Sequence, residues 1–222
     1  MKSKPLTKRL LSAAMAFVLA LSLLPATVFA AGDTPTTVTA WNYADGTTLP
    51  ASGGTLSAAA TSGKGTLSLS GGPAYTGYSS GSVSASGWTT DGCWLMTGLD
   101  TTGYKSLTFT ASMRSSGTGP ANFTLEYSVD GTTWVNVAAA NKTATSIAVV
   151  FNAVALPAEA ISATLSLRVR PTDTVSQSGG TVAAGGASGI NNITLSGVPL
   201  VPINTIAEAK AGADSTAFFV KG

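Results

Sequence analysis

Apolar and polar residues alternate along most of this chain with a period of two, in short segments separated by Gly, Asp, Asn and Pro. Residues 37–43 (TVTAWNY), 54–60 (GTLSAAA) and 65–71 (GTLSLSG) begin the series. It continues through residues 93–98 (CWLMTG), 105–113 (KSLTFTASM), 122–129 (NFTLEYSV), 133–139 (TWVNVAA), 146–156 (SIAVVFNAVAL), 163–170 (ATLSLRVR) and 190–197 (INNITLSG). A period of two puts alternate side chains on opposite faces of a strand, and many short strands at this spacing predict an all-β domain. In residues 122–129, Phe123, Leu125, Tyr127 and Val129 fall on one face, and Thr124, Glu126 and Ser128 on the other, wetter one. Asp130-Gly131 follows as hairpin-turn chemistry, because the turn needs a positive φ that glycine adopts without strain. The expected fold is a two-sheet antiparallel β-sandwich, jelly-roll-like, over residues 36–198.

Both ends break the pattern. Lys2, Lys4, Lys8 and Arg9 precede an apolar run at 10–24, and Pro25 and small residues before Ala31 complete a secretory signal peptide over 1–30, with 31–35 as a linker. The run is shorter than a membrane span, so no membrane association is expected after cleavage. Two prolines in residues 199–204 mark a second linker. Beyond it, residues 205–212 read as a helix with Thr205 as N-cap and Gly212 as its stop, and residues 216–222 as a new strand. Residues 205–222 are expected to open a further domain, which makes the sandwich a monomeric module within a longer chain.

Cleavage changes the charge balance. The full chain carries a net charge of +2, but after residue 30 eight basic and ten acidic residues remain, for a net charge of −2. A charge-poor, mildly acidic module has no electrostatic footprint for nucleic acid. Cys93 is the single cysteine, so stability comes from burial rather than an intrachain disulfide, and its apolar neighbours predict a buried thiol.

The chain contains no histidine, and that removes most catalytic arrangements. Residues 77–81 (GYSSG) match a nucleophile elbow literally, yet no imidazole can take the serine proton and no helix follows. Paired carboxylates would be Glu126 with Asp130, or Asp91 with Asp100; the acids are scattered singly, and Asp130 is accounted for by its turn. No cofactor is expected. A structural Ca2+ suits loop oxygens, but no D-x-D-x-D run marks ligands for it. Asn122, Asn141 and Asn192 begin N-x-Thr sequons, read as sheet-surface sequence.

Aromatics carry the positive signal. Tyr75, Tyr78, Trp88 and Tyr104 lie in Gly/Ser-rich loop and short-strand sequence, and exposed rings of this kind stack on sugars. Trp88 in residues 85–92 is expected to be the exposed anchor, with Trp94, Trp41 and Trp134 packing inside or across the sheet. The Gly-rich stretches at 71–92 and 176–189 are expected to be the loops around such a site.

Residues 115–134 (SSGTGPANFTLEYSVDGTTW), 167–173 (LRVRPTD) and 190–197 (INNITLSG) resemble β-sandwich modules at the N-terminus of large secreted Gram-positive bacterial nuclease and phosphoesterase-type surface proteins. Residues 205–222 resemble the start of the OB-fold module that follows in extracellular endonuclease and 5′-nucleotidase-like proteins. The resemblance implies an accessory module attached to a downstream enzyme, secreted or held at the cell surface. It departs at Ile190-Asn191-Asn192-Ile193, where the family carries Asp in place of Asn191, and this puts any cation bound through that position in doubt. The chain itself is expected to be non-catalytic, binding polysaccharide or cell-wall glycan; the alternative is a ligand-free spacer.

Overall fold

The computed structural model describes residues 33–137 and 141–200, and the backbone of residues 202–203 and 219–220. The signal peptide expected at 1–30 and the helix expected at 205–212 lie outside the described residues.

The first sheet is built from β1 (Thr36–Trp41), β4 (Ala74–Ser79), β5 (Ser82–Ser86), β7 (Tyr104–Ser115), β11 (Ala148–Ala155) and β13 (Ser188–Pro199). Its order is β11-β7-β13-β5-β4, and β1 continues along β13 where β5 ends. The second contains β2 (Ser57–Ala59), β3 (Thr66–Ser70), β6 (Cys93–Leu99), β8 (Asn122–Ser128), β9 (Val135–Asn136), β10 (Asn141–Lys142) and β12 (Leu165–Pro171). Its order is β10-β8-β12-β6-β3-β2, with β9 also on β8. Every pairing in both sheets is antiparallel. A short parallel pair, β14 (Pro202–Ile203) with β15 (Phe219–Val220), stands apart from them. The one helical element among the described residues is a 3-10 turn at Ala158–Ala160. The protein is a two-sheet antiparallel β-sandwich.

The alternation read from the sequence explains the core. Val83, Phe109, Met113, Phe151, Ile190 and Leu195 from the first sheet meet Leu67, Trp94, Met96, Phe123, Leu125 and Leu167 from the second, all fully buried. Each such side chain contributes roughly 1.5–3 kcal/mol of burial relative to exposure.

A bulge in β13 marks the position where the family resemblance breaks. Asn191 pairs with Ser112 but Thr194 pairs with Thr110, so the register slips between them and Asn192 takes φ +50. Asn191 lies with Ser112 on the face opposite Ile190 and is buried there, where its Nδ2 donates to the carbonyls of Tyr43 and Gly81 at 2.9 Å each. Its Oδ1 accepts from Tyr43 N at 3.0 Å. The amide joins the segment after β1 to the β4–β5 hairpin.

Three local expectations are corrected. Residues 71–92 are not an open loop: β4 and β5 form a hairpin there, and the GYSSG stretch is its turn, with Ser79 hydrogen-bonded to Arg114 and Ser84. The turn after β8 is wider than a tight hairpin and runs over residues 129–134. Asp130 Oδ1 holds it by accepting from Thr132 N at 2.8 Å, Thr133 N at 2.6 Å and Ser128 Oγ at 2.9 Å, and Gly131 takes φ +75. Val129 falls in this turn and is exposed instead of continuing the buried face.

Candidate functional site

Cross-strand pairs share a sheet face, so the register shows which side chains stand together. Leu165, Leu167 and Val169 of β12 point into the core, leaving Ser166, Arg168 and Arg170 on the outer face of the second sheet. Arg168 pairs with Glu126 on one side and Leu95 on the other; Glu126 pairs with Asn136, and Leu95 with Ser68. A row Asn136–Glu126–Arg168–Leu95–Ser68 therefore crosses five strands. Trp134 precedes Val135, which pairs with Tyr127, so the register carries it level with Ser128 on the same outer face.

Glu126 is the centre of this face. Arg168 Nε donates to its Oε2 at 2.5 Å, and Arg170 Nε donates to its Oε1 at 2.9 Å, with Nη2 at 2.8 Å from the same oxygen. The wetter face expected for Thr124, Glu126 and Ser128 is the outer one, yet all three are buried, because the guanidiniums, Asn136 and the 129–134 turn lie over them. Burial opposes ionisation of Glu126, but the hydrogen bonds from Arg170 and Arg168 and their charges outweigh it and hold the carboxyl below its ordinary range. Both carboxylate oxygens are thus committed, and Asp130 is committed to its turn, so the two form no acid–base pair.

Arg168 also carries the tryptophan. Its guanidinium carbon sits 4.3 Å from the centroid of the Trp134 ring, a cation–π contact. One ring face is taken by the guanidinium, and the residue as a whole is half-buried. Beside it, Thr90, Asp91, Arg168 and Arg170 line a cleft of about 350 Å3.

The aromatics expected to bind are not gathered into one site. Trp88 is 6% exposed: its Nε1 donates to Ala85 O at 2.9 Å, and its ring packs 5.2 Å from Trp94 and 5.7 Å from Phe123. It fills core space between the sheets and has no free face for a sugar. Tyr75 is buried too, its hydroxyl donating to Pro50 O. Tyr78 is half-buried, with its hydroxyl donating to Tyr43 O at 2.8 Å. Tyr104 lines a cleft of about 410 Å3 with Lys64, Leu99 and Asp100. Asp91 and Asp100 belong to these two separate clefts and do not pair. Asp100 Oδ1 accepts from Thr102 N and Oγ1.

Of the four tryptophans, Trp41, Trp88 and Trp94 are buried and Trp134 is not. The ring missed by sequence reasoning is the one the surface presents. Its signal was parity: Trp134 follows a turn joined to the Thr124–Glu126–Ser128 face, and Arg168 and Arg170 occupy outward alternate positions of β12. Among the described residues no three His, Cys, Asp or Glu side chains cluster as a metal site would require, and no helix is long and apolar enough to cross a membrane.

No family model matches the chain, and no curated protein matches it significantly. Among solved structures it is similar to a family 29 carbohydrate-binding module, at 13% identity over 72% of this chain and 90% of that one, with a TM-score of 0.35. It is also similar to the N-terminal cellulose-binding domain of a β-1,4-glucanase from Cellulomonas fimi, at 11% identity over 60% of this chain and 80% of that one, with a TM-score of 0.27. At that level of likeness, what this chain binds has to be read from its own residues.

Proposed function

We propose that this chain is a non-catalytic accessory module that binds glycan on the outer face of its second sheet, with Trp134 as the stacking ring. The observation that carries this reading is the seating of Trp134. It is the one tryptophan with ring surface open to solvent, and its underside rests on a guanidinium that Glu126 already holds in place. A ring fixed before the ligand arrives loses little freedom on binding, which is what a stacking platform needs. Arg168, which carries the ring, also lines the cleft formed with Arg170, Asp91 and Thr90, so polar groups continue the same face beyond the indole.

The test is retention of the sandwich on insoluble polysaccharides and peptidoglycan, wild type beside Trp134→Ala. The expected result is retention of wild type and at least tenfold weaker retention of the variant, as for a buried aromatic anchor worth more than about 1.4 kcal/mol. Equal retention of both would move the site elsewhere. Retention of neither would leave the spacer reading, which the burial of Trp88 and Tyr75 favours by removing two of the four rings expected to bind. Attachment to a downstream nuclease or phosphoesterase-type enzyme is supported by the resemblance of residues 205–222, and sequencing the gene past codon 222 tests it. Export through a cleaved signal peptide is tested by the N-terminus of the secreted protein.

A further inference from the structure

We infer that the Trp134 face takes an uncharged polysaccharide chain, several sugars long, and discriminates against anionic glycans. This rests on the glycan-binding reading above and names the ligand class for the same site. Two guanidiniums on a bacterial surface module would ordinarily suggest an acidic polymer. Here their charge is already spent. Glu126 neutralises one positive charge from beneath, and Asp91, on the rim of the cleft, offsets the other. Arg168, Arg170, Glu126 and Asp91 together carry no net charge, so a polyanion meets no field that would draw it in.

The hydrogen-bond directions give the same answer. Arg170 spends Nε and Nη2 on Glu126, and its Nη1 points at the carbonyls of Thr90 and Pro171 at 3.5 and 3.2 Å. The paired fork that grips a carboxylate or phosphate is therefore occupied. What remains on offer is mixed: the outer Nη donors of Arg168, the Asp91 carboxylate, to which no side chain donates among the described residues, and the Thr90 hydroxyl. Sugar hydroxyls both donate and accept, and fit such a set; a carboxylate or phosphodiester, which only accepts, meets Asp91 as a like charge.

Length follows from the register. Trp134 stands level with Ser128, which pairs with Ser166, while the cleft reaches Arg170 four residues further along β12 and continues to Asp91. The indole itself lies over Arg168, and at ~3.3 Å per residue Arg170 stands roughly 7 Å further along the strand, with Asp91 lining the same cleft. That reach is more than one sugar ring covers, so a single monosaccharide leaves either the indole or Asp91 unused.

The experiment is native affinity electrophoresis of the sandwich through gels containing hydroxyethylcellulose, xylan or mannan, and in parallel polygalacturonate or wall teichoic acid. Each gel is run in low salt and in about 1 M NaCl, where charges are screened beyond roughly 3 Å. The expected result is retardation by at least one neutral polymer, changed less than about twofold by salt. Trp134→Ala abolishes it and Asp91→Asn weakens it severalfold; Asp91 is exposed, so that variant tests the site without threatening the fold. A soluble oligomer of the retarding polymer competes where its monosaccharide does not. Retardation by the anionic polymers alone, lost in high salt and weakened by Trp134→Ala, would overturn the uncharged class while leaving the glycan site in place. No retardation by any polymer would remove both.

Discussion

Trp88→Ala separates a core ring from a ligand-binding ring. A tryptophan buries roughly 150–250 Å2, and Trp88 is 6% exposed, so nearly all of that area leaves water on folding. At about 25 cal/mol per Å2 the burial is worth about 5 kcal/mol, an upper figure because the unfolded chain is itself partly collapsed. Truncation also removes the contacts with Trp94 and Phe123 and leaves the Ala85 carbonyl without its Nε1 donor. Measured Trp-to-Ala costs in cores run about 3–5 kcal/mol, and about 4 kcal/mol is expected here. For a module of this size that lowers Tm by roughly 8–16 °C. Trp134→Ala is the internal control: it loses a cation–π contact worth about 0.5–1 kcal/mol, while Glu126 still holds Arg168. Urea titrations followed by far-ultraviolet circular dichroism measure both, avoiding the fluorescence that the substitutions themselves remove. A Trp88→Ala protein within about 1 kcal/mol of wild type at unchanged m-value would refute the core assignment, as would a loss in Trp134→Ala of equal size.

Asn191→Asp replaces the Nδ2 donor with an oxygen facing the Tyr43 and Gly81 carbonyls in a site 5% exposed; a loss of about 2–4 kcal/mol by chemical denaturation is expected, and an unchanged midpoint would contradict the amide's bridging role. Glu126 sits below its ordinary value of 4.5, so the stability it contributes is complete above that pH and is lost as pH falls through the lower, folded value. Urea midpoints should therefore hold steady from neutrality to about pH 5. Below that they should decline, more shallowly for Glu126→Gln, whereas parallel curves would show that the clamp carries no pH-dependent stability. Cys93 is 3% exposed and burial pushes its thiol pKa up, so a disulfide reagent should label it only when urea opens the sandwich; rapid labelling of native protein would contradict its burial.

The strands with strong alternation were legible in the sequence. Residues 105–113, 122–129 and 190–197 fall within or close to β7, β8 and β13, because Leu107, Phe109, Phe123, Leu125, Ile193 and Leu195 are large enough to mark the buried face. The β4–β5 hairpin was hidden because its strands are mostly Ser, Gly and Ala, and Tyr75, Val83 and Ala85 do not stand out among them as a buried face. The aromatics failed for a different reason. Trp88 sits in turn-like sequence, and what buries it is Trp94 and Phe123, supplied by other strands. Trp134 sits in strand-like sequence, but its neighbour on the outer face is Arg168 on β12, which no local pattern connects to it. Periodicity reports which side of a strand a residue occupies; whether that side meets a sheet, a guanidinium or solvent is decided by pairing.

β13 has a consequence for how the module is made. It is bonded to β7 along its length, to β5 at one end and to β1 at the other, so the first strand of the sandwich is held by the last. Closing β1 against β13 brings together residues as far apart as Thr36 and Gly197, the kind of distant pairing that makes folding slow. A ribosome must release nearly the whole module before the first sheet can assemble. Until then β7 has β11 beside it and an open edge on its other side, where β13 will lie. The nascent chain therefore stays loose for most of its synthesis, a state that can be threaded through a narrow channel but that also exposes an unpaired strand edge to neighbouring chains.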